Sequence, residues 1–155
     1  MLLPRFFDNL NQFFSPSKVL VIYGPRQVGK TTLLKNFLKK IDLRYKLVSG
    51  DDLSVQEVFS SQTLSKISEF CSGYQLLAID EAQKIKNIGH SLKLIVDNLS
   101  PLQIIVTGSS SFDLSGQIGE PLTGRKITLI LYPISQIELK MVYNPYELKK
   151  NSLSI

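Results

Sequence analysis

A short apolar run, Val19-Leu20-Val21-Ile22-Tyr23, leads directly into Gly24-Pro25-Arg26-Gln27-Val28-Gly29-Lys30-Thr31-Thr32, and a helix-forming stretch follows. Strand, G-x-x-x-x-G-K-T loop and helix in that order constrain the fold more than any other feature of the chain, because the loop has to sit at the carboxyl edge of a sheet. Its chemistry is phosphate binding. The loop from Gly24 through Pro25, Arg26, Gln27 and Val28 to Gly29 has to wrap its backbone around phosphate oxygens. Gly24 is therefore expected to adopt φ > 0 after the strand, and Gly29 to leave no side chain in the way. The helix over about residues 30–40 aims free amides and its positive dipole end at the same place. Lys30 adds a point charge near the β- and γ-phosphates, and the Thr31 hydroxyl has the type and position of a Mg²⁺ ligand.

A second run, Tyr74-Gln75-Leu76-Leu77-Ala78-Ile79, is too short for a typical helix and ends abruptly in Asp80-Glu81. That reads as a buried strand with carboxylates at its carboxyl end, where open parallel sheets place ligand-binding groups. Asp80 would hold Mg²⁺ through water, and Glu81 would orient and deprotonate the water attacking the γ-phosphate. The competing reading makes the pair an acidic N-terminus for a helix from Ala82 onward. A third strand, Gln103-Ile104-Ile105-Val106-Thr107, stops at Gly108-Ser109-Ser110-Ser111. Thr107 or Ser109 could contact the γ-phosphate or the attacking water, while Ser110 could equally cap the next helix.

Between these motifs the chain alternates regularly. An apolar spacing at Phe6, Phe7, Leu10, Phe13 and Phe14 predicts a helix over residues 5–14, broken by Ser15-Pro16-Ser17. Strands are expected at 18–23, 45–49, 75–79, 103–107 and 126–131. Helices are expected at 30–40, 54–60, 63–71 and 88–99, with Asp51 and Asp52 capping the second of these and Ser100-Pro101 ending the last. A Gly- and Ser-rich loop fills 108–124, and Pro133 opens a further helical region. Strands alternating with helices imply an α/β sandwich, a parallel sheet covered on both faces with right-handed crossovers.

At 155 residues the chain fits one domain that buries roughly two-thirds of its unfolded surface. The single Cys71 excludes an internal disulfide and a cysteine metal cluster, which suits a reducing cytoplasm, and the single His90 lies in a polar stretch. No apolar run approaches the roughly 20 residues of a membrane span, and the N-terminus lacks the basic start and hydrophobic block of a signal peptide. A net charge of +5 and a pI near 9.3 favour polyanions modestly. The lysines are nonetheless spread out, with Lys35, Lys39 and Lys40 after the phosphate loop and Lys84, Lys86 and Lys93 after the acidic pair. Solvated helix faces or a nucleic-acid stripe would each account for them.

Gly-Pro-Arg-Gln-Val-Gly-Lys-Thr at 24–31, Ile-Asp-Glu-Ala-Gln at 79–83, Val-Thr-Gly-Ser-Ser-Ser at 106–111 and Leu-Thr-Gly-Arg at 122–125 occur in that order. The combination resembles the bacterial and archaeal AAA-type ATPases whose phosphate loop reads GPRQVGKT. Residues 132–139 are similar to that family's usual ending. The resemblance covers roughly residues 4–140 and implies a P-loop sandwich with a five-stranded sheet in the order 5-1-4-3-2. It divides the chain into an ATPase core over 1–141 and a short tail over 142–155, where relatives begin a second region. It implies Gly24, Gly29, Lys30, Thr31 and Thr32 around the phosphates of ATP, Asp80 on magnesium, Glu81 as catalytic base and Thr107 as a polar sensor. Arg125 stands where the family has an arginine that senses or stabilises γ-phosphate charge, on its own molecule or on a neighbour in a homo-oligomer. Its simpler reading is a surface arginine before a strand. The function so implied is Mg²⁺-dependent ATP hydrolysis driving a partner or a further region of chain. Its rivals are a nucleotide switch that turns over negligibly and a small-molecule kinase, with DNA or protein as the partner in any of these.

Overall fold

The computed structural model describes residues 9–109 and 119–134. Five strands, β1 (Val19–Gly24), β2 (Tyr45–Ser49), β3 (Leu76–Asp80), β4 (Gln103–Ser109) and β5 (Lys126–Ile130), form one sheet in the order β2-β3-β4-β1-β5. All four pairings are parallel. The order is the expected 5-1-4-3-2 read from the other edge, and the fold is an α/β sandwich of the P-loop type. It places β4 between the strand that carries the phosphate loop and the strand that ends in the acidic pair.

Period-two alternation assigns each strand residue to one of two cores. Leu20, Ile22, Leu76, Ala78, Ile105 and Leu129 face α1 (Lys30–Leu38), which contributes Leu33, Leu34, Phe37 and Leu38. Val19, Val21, Tyr23, Leu77, Ile79, Ile104 and Val106 face the other way. There they meet α2 (Leu53–Ser60), α3 (Leu64–Cys71) and α4 (Ile88–Asn98) through residues such as Phe59, Ile67 and Leu92. Each such side chain, removed fully from water, stabilises the fold by about 1.5–3 kcal/mol before entropy is counted. The outward faces are polar: Lys35, Lys39, Lys40, Lys84, Lys86, Lys93 and His90 are all exposed.

Differences from the sequence expectation are local. β1 and β4 run on to Gly24 and Ser109 because these two residues pair with each other. Asp52 caps α2 by accepting from the Ser54 amide at 2.8 Å, whereas Asp51 does not cap and lies 4.0 Å from Lys84. In place of the predicted helix over 5–14, the described part is one 3₁₀ turn, Leu10–Phe13. Leu10 is buried there against the α1 core, and the Phe14 ring lies 5.9 Å from Phe37. Residues 5–8, Ser110, Ser111 and the helix expected after Pro133 lie outside the described residues.

Candidate active site

The parallel arrangement brings the carboxyl ends of β1, β3 and β4 to one edge of the sheet, and the chain turns from β1 into α1 there. The two loop glycines have different reasons to be glycine. Gly29 takes the left-handed conformation, φ 92 and ψ 22, immediately before α1. Gly24 does not, contrary to expectation, and φ > 0 in this loop falls to Gln27, at 64°. A Cβ on Gly24 would stand 2.3 Å from the Leu131 carbonyl oxygen and 3.0 Å from the Val28 side chain, so close approach of the backbone just after β5 excludes any larger residue.

Lys30 is 5% exposed and donates to the carbonyls of Gly24 at 2.9 Å and Pro25 at 2.7 Å. Burial lowers its pKa from the usual lysine value, opposed by the charges of Glu81 and Asp80. A cavity of about 370 Å³ opens beside it, within the range of small-molecule sites. Arg26, Gln27, Gly29, Lys30, Thr31 and Thr32 line one side, and Glu81 reaches it from the other. A larger hollow of about 620 Å³ near Cys71, Tyr74 and Pro101, at the opposite edge, has no charged residue in its lining.

The acidic pair is held from both neighbouring strands. Thr31 Oγ1 donates to Asp80 Oδ2 at 2.7 Å, joining the start of α1 to the end of β3. Thr107 Oγ1 donates to the other oxygen, Oδ1, and accepts from the Glu81 amide at 3.3 Å. Glu81 adopts φ 54 and ψ 41, an uncommon conformation for a residue with a side chain. It precedes a 3₁₀ turn over Ala82–Lys84 and makes no side-chain cap, so the reading of the pair as a helix N-terminus fails. On the β2 side the Gly50 amide donates to the Asp80 carbonyl at 2.7 Å. A Cβ on Gly50 would lie 2.2 Å from the Glu81 carbonyl oxygen. An oxygen-only pair, the Thr31 hydroxyl and the Asp80 carboxylate, suits Mg²⁺, which commonly takes one or two protein ligands and completes its shell with phosphate and water.

The family model of the AAA domain matches residues 16–140. The chain belongs to the AAA-domain family. An uncharacterized protein of Mycobacterium tuberculosis is 33% identical over 109 residues, 69% of this chain and 23% of the relative. An uncharacterized protein of Mycobacterium bovis has the same figures. An uncharacterized protein of Methanocaldococcus jannaschii is 29% identical over 143 residues, 90% of this chain and 32% of the relative. This AAA domain thus spans a quarter to a third of the curated relatives it matches.

The expected site residues gather with two exceptions. Thr107 is fully buried and spends its only proton on Asp80, so it supports the Asp80 carboxylate and the Glu81 backbone rather than facing the cavity. Arg125 is not brought to the site at all. Its carbonyl accepts from the Val19 amide at 2.8 Å, at the amino end of β1 and β5, and its Nε lies 2.7 Å from Asp97 Oδ1. Five strand residues separate that edge from the phosphate loop, about 17 Å and well beyond a side chain's reach. Arg125 therefore cannot meet nucleotide on its own molecule, which leaves a neighbour's nucleotide or a structural ion pair. Two supporting residues of this AAA domain were not assigned from sequence. Gly50 read only as a turn glycine, since nothing in the sequence says that another backbone passes over it. Gln83 was legible as part of the 79–83 motif, but its contact with Glu81 was not.

Proposed function

We propose that this AAA domain binds ATP with Mg²⁺ and hydrolyses it, as a member of the prokaryotic AAA-type ATPases with the GPRQVGKT loop. The observation that carries the reading is the 2.7 Å contact between Thr31 and Asp80 beside a buried Lys30 and a cavity that Glu81 enters. A phosphate-binding turn would need only the loop. The convergence of a helix-start hydroxyl with a strand-end carboxylate favours metal-assisted phosphoryl transfer.

The loop amides and the positive end of α1 receive the phosphates, and Lys30 keeps two donors on its own loop, leaving the third for a phosphate oxygen. Thr31 and Asp80 would hold Mg²⁺, which supplies charge neutralisation on the β- and γ-phosphates when bound. Glu81 orients a water and takes its proton as the water attacks the γ-phosphorus, whose bond to the bridging oxygen breaks to release ADP. Thr107 holds the Asp80 carboxylate and the Glu81 backbone in register. Residues 1–141 form the catalytic core and 142–155 the start of a tail leading to a further region, to which nucleotide state is coupled. We place the protein in the cytoplasm, with a second copy, DNA or another protein as partner. No described helix is long and apolar enough to cross a membrane.

ATP turnover measured with Mg²⁺ and with chelator tests the proposal. Glu81→Gln keeps the size of the side chain and loses the base, so nucleotide should still bind while hydrolysis falls by about 10²-fold or more. Wild-type turnover in that variant would remove Glu81 from the chemistry.

A further inference from the structure

Contacts at the amide and the carbonyl, together with one backbone torsion, fix the backbone of Glu81, and none of them aims its carboxylate. Thr107 takes the amide, Gly50 lies under the carbonyl, and the left-handed φ sets the direction in which the side chain leaves. Beyond the Cα, a glutamate keeps three rotatable torsions, and a base that wanders through them is seldom within reach of its water. Gln83 Nε2 donates to Glu81 Oε2. Gln83 is itself well placed to do so: it is the middle residue of the 3₁₀ turn Ala82–Lys84, with Ala82 and Ile85 completely buried on either side of it.

We propose that Gln83 is the positioning residue for Glu81: its side-chain amide holds Oε2 so that Oε1 is presented to the attacking water. The assignment rests on the reading of Glu81 as the base. The chemistry of an amide suits the task. It donates a directed hydrogen bond yet carries no charge, so it orients the carboxylate without forming an ion pair that would compete with the incoming proton. It occupies one carboxylate oxygen and leaves the other open. In this state Glu81 still lines the phosphate cavity, so the bond holds the carboxylate at the site rather than away from it.

The test is a double-mutant cycle on the full chain, comparing wild type, Gln83→Ala, Glu81→Gln and the pair. Steady-state ATP hydrolysis and calorimetric binding of a non-hydrolysable ATP analogue are the readouts. Gln83→Ala should lower kcat by about 10- to 10²-fold, with KM and analogue affinity within about threefold of wild type. The same substitution in the Glu81→Gln background should change turnover less than about twofold, because nothing remains to position. Gln83→Glu keeps the length of the side chain, replaces the donor by a like charge, and should be at least as slow as Gln83→Ala. It serves as the test if the alanine variant does not fold. An unchanged kcat in Gln83→Ala, a rise in KM alone, or an undiminished loss in the Glu81→Gln background would overturn the assignment and leave the ATPase reading standing. No turnover in wild type, or full turnover in Glu81→Gln, would overturn both.

Discussion

Gly50 offers the sharpest separation of catalysis from binding. Its φ lies outside the left-handed region, so alanine fits the backbone and the whole effect of Gly50→Ala is steric. The new Cβ would stand 2.2 Å from the Glu81 carbonyl oxygen, 3.0 Å from its carbonyl carbon and 3.4 Å from the Asp80 carbonyl oxygen. All three are backbone atoms, and no rotamer change relieves the clash. Ordinary contact returns only if the 81–82 peptide, which carries the Glu81 carbonyl, moves by about 1 Å, a displacement that costs about 10²-fold when it falls on a catalytic group. Overpacking at such a site costs about 1–3 kcal/mol, which a domain of this size survives. Gly50 is held in place by its own bond to Asp80 and by Gln56 Nε2, which donates to its carbonyl at 2.7 Å, so β2 does not simply retreat. The phosphate loop, carried on β1 and α1, is untouched. Gly50→Ala should therefore lose about 10- to 10²-fold in kcat and keep ATP affinity within a few-fold. Gly119→Ala, where no atom lies within 4 Å of a new Cβ, should match wild type. Turnover assays, calorimetry and urea denaturation on the three proteins decide. A Gly50→Ala protein as active as wild type would show that the Glu81 backbone needs no such support.

Lys30→Ala should remove most triphosphate affinity and leave the fold intact, read by calorimetry and thermal melting; unchanged affinity would dissociate the loop from phosphate. Tyr23 has a buried hydroxyl with no hydrogen-bond partner among the described residues, and burial raises its pKa to about 12. Tyr23→Phe should be neutral or stabilising by about 1 kcal/mol, since no bond is lost and a desolvated group is removed. The folded chain holds this proton above the ordinary phenol value of 10.0, so its contribution is intact below pH 10 and lost as pH rises towards about 12. The variant should lack that share of the alkaline fall, measured as urea stability against pH. Arg125→Ala should leave the turnover of dilute protein unaltered. If the arginine serves a neighbour's nucleotide, wild-type specific activity should rise with protein concentration and the variant's should stay flat; coincident curves would reduce Arg125 to its ion pair with Asp97.

Much of the fold is legible because burial on both faces leaves a blunt mark. Val19 to Tyr23, Leu76 to Ile79 and Ile104 to Val106 are short apolar runs with no polar face, as strands between two helical layers must be. The edge strand β2 is legible from its place in the alternation and from the turn at Gly50-Asp51-Asp52 that ends it, although Tyr45 and Leu47 are partly exposed. Element ends were less legible, since Gly24 and Ser109 are strand residues only through pairing with each other. The N-terminal helix failed for a related reason. Leu10, Phe13 and Phe14 have helical spacing, yet Leu10 is buried and the two phenylalanines pack against the same cluster across a turn of four residues, so the period records packing without an α-helix.

The site divides along a similar line. Residues whose proposed task follows from their own chemistry, such as Lys30, Thr31, Asp80 and Glu81, stand out in the sequence because few side chains suit phosphate, metal or proton transfer. Residues whose task is to hold these four have no such mark. Thr107 stands at the expected strand end but faces the Asp80 carboxylate and the Glu81 amide, because β4 lies between the loop strand and the acidic strand and the hydroxyl meets Asp80 before any ligand. For Arg125 it is the alternative of acting on its own molecule that fails, and for the opposite reason. Its sequence position just before β5 gives no sense of direction until parallel pairing sends that position to the amino edge, where Asp97 waits. Gly50 and Gln83 required the turn around Glu81 itself. An acid placed at φ 54 between two strands needs a hydroxyl on one side, an empty space on the other and a donor for its carboxylate. The local turn supplies Gln83, and only the assembled sheet adds Thr107 and Gly50 to the same residue.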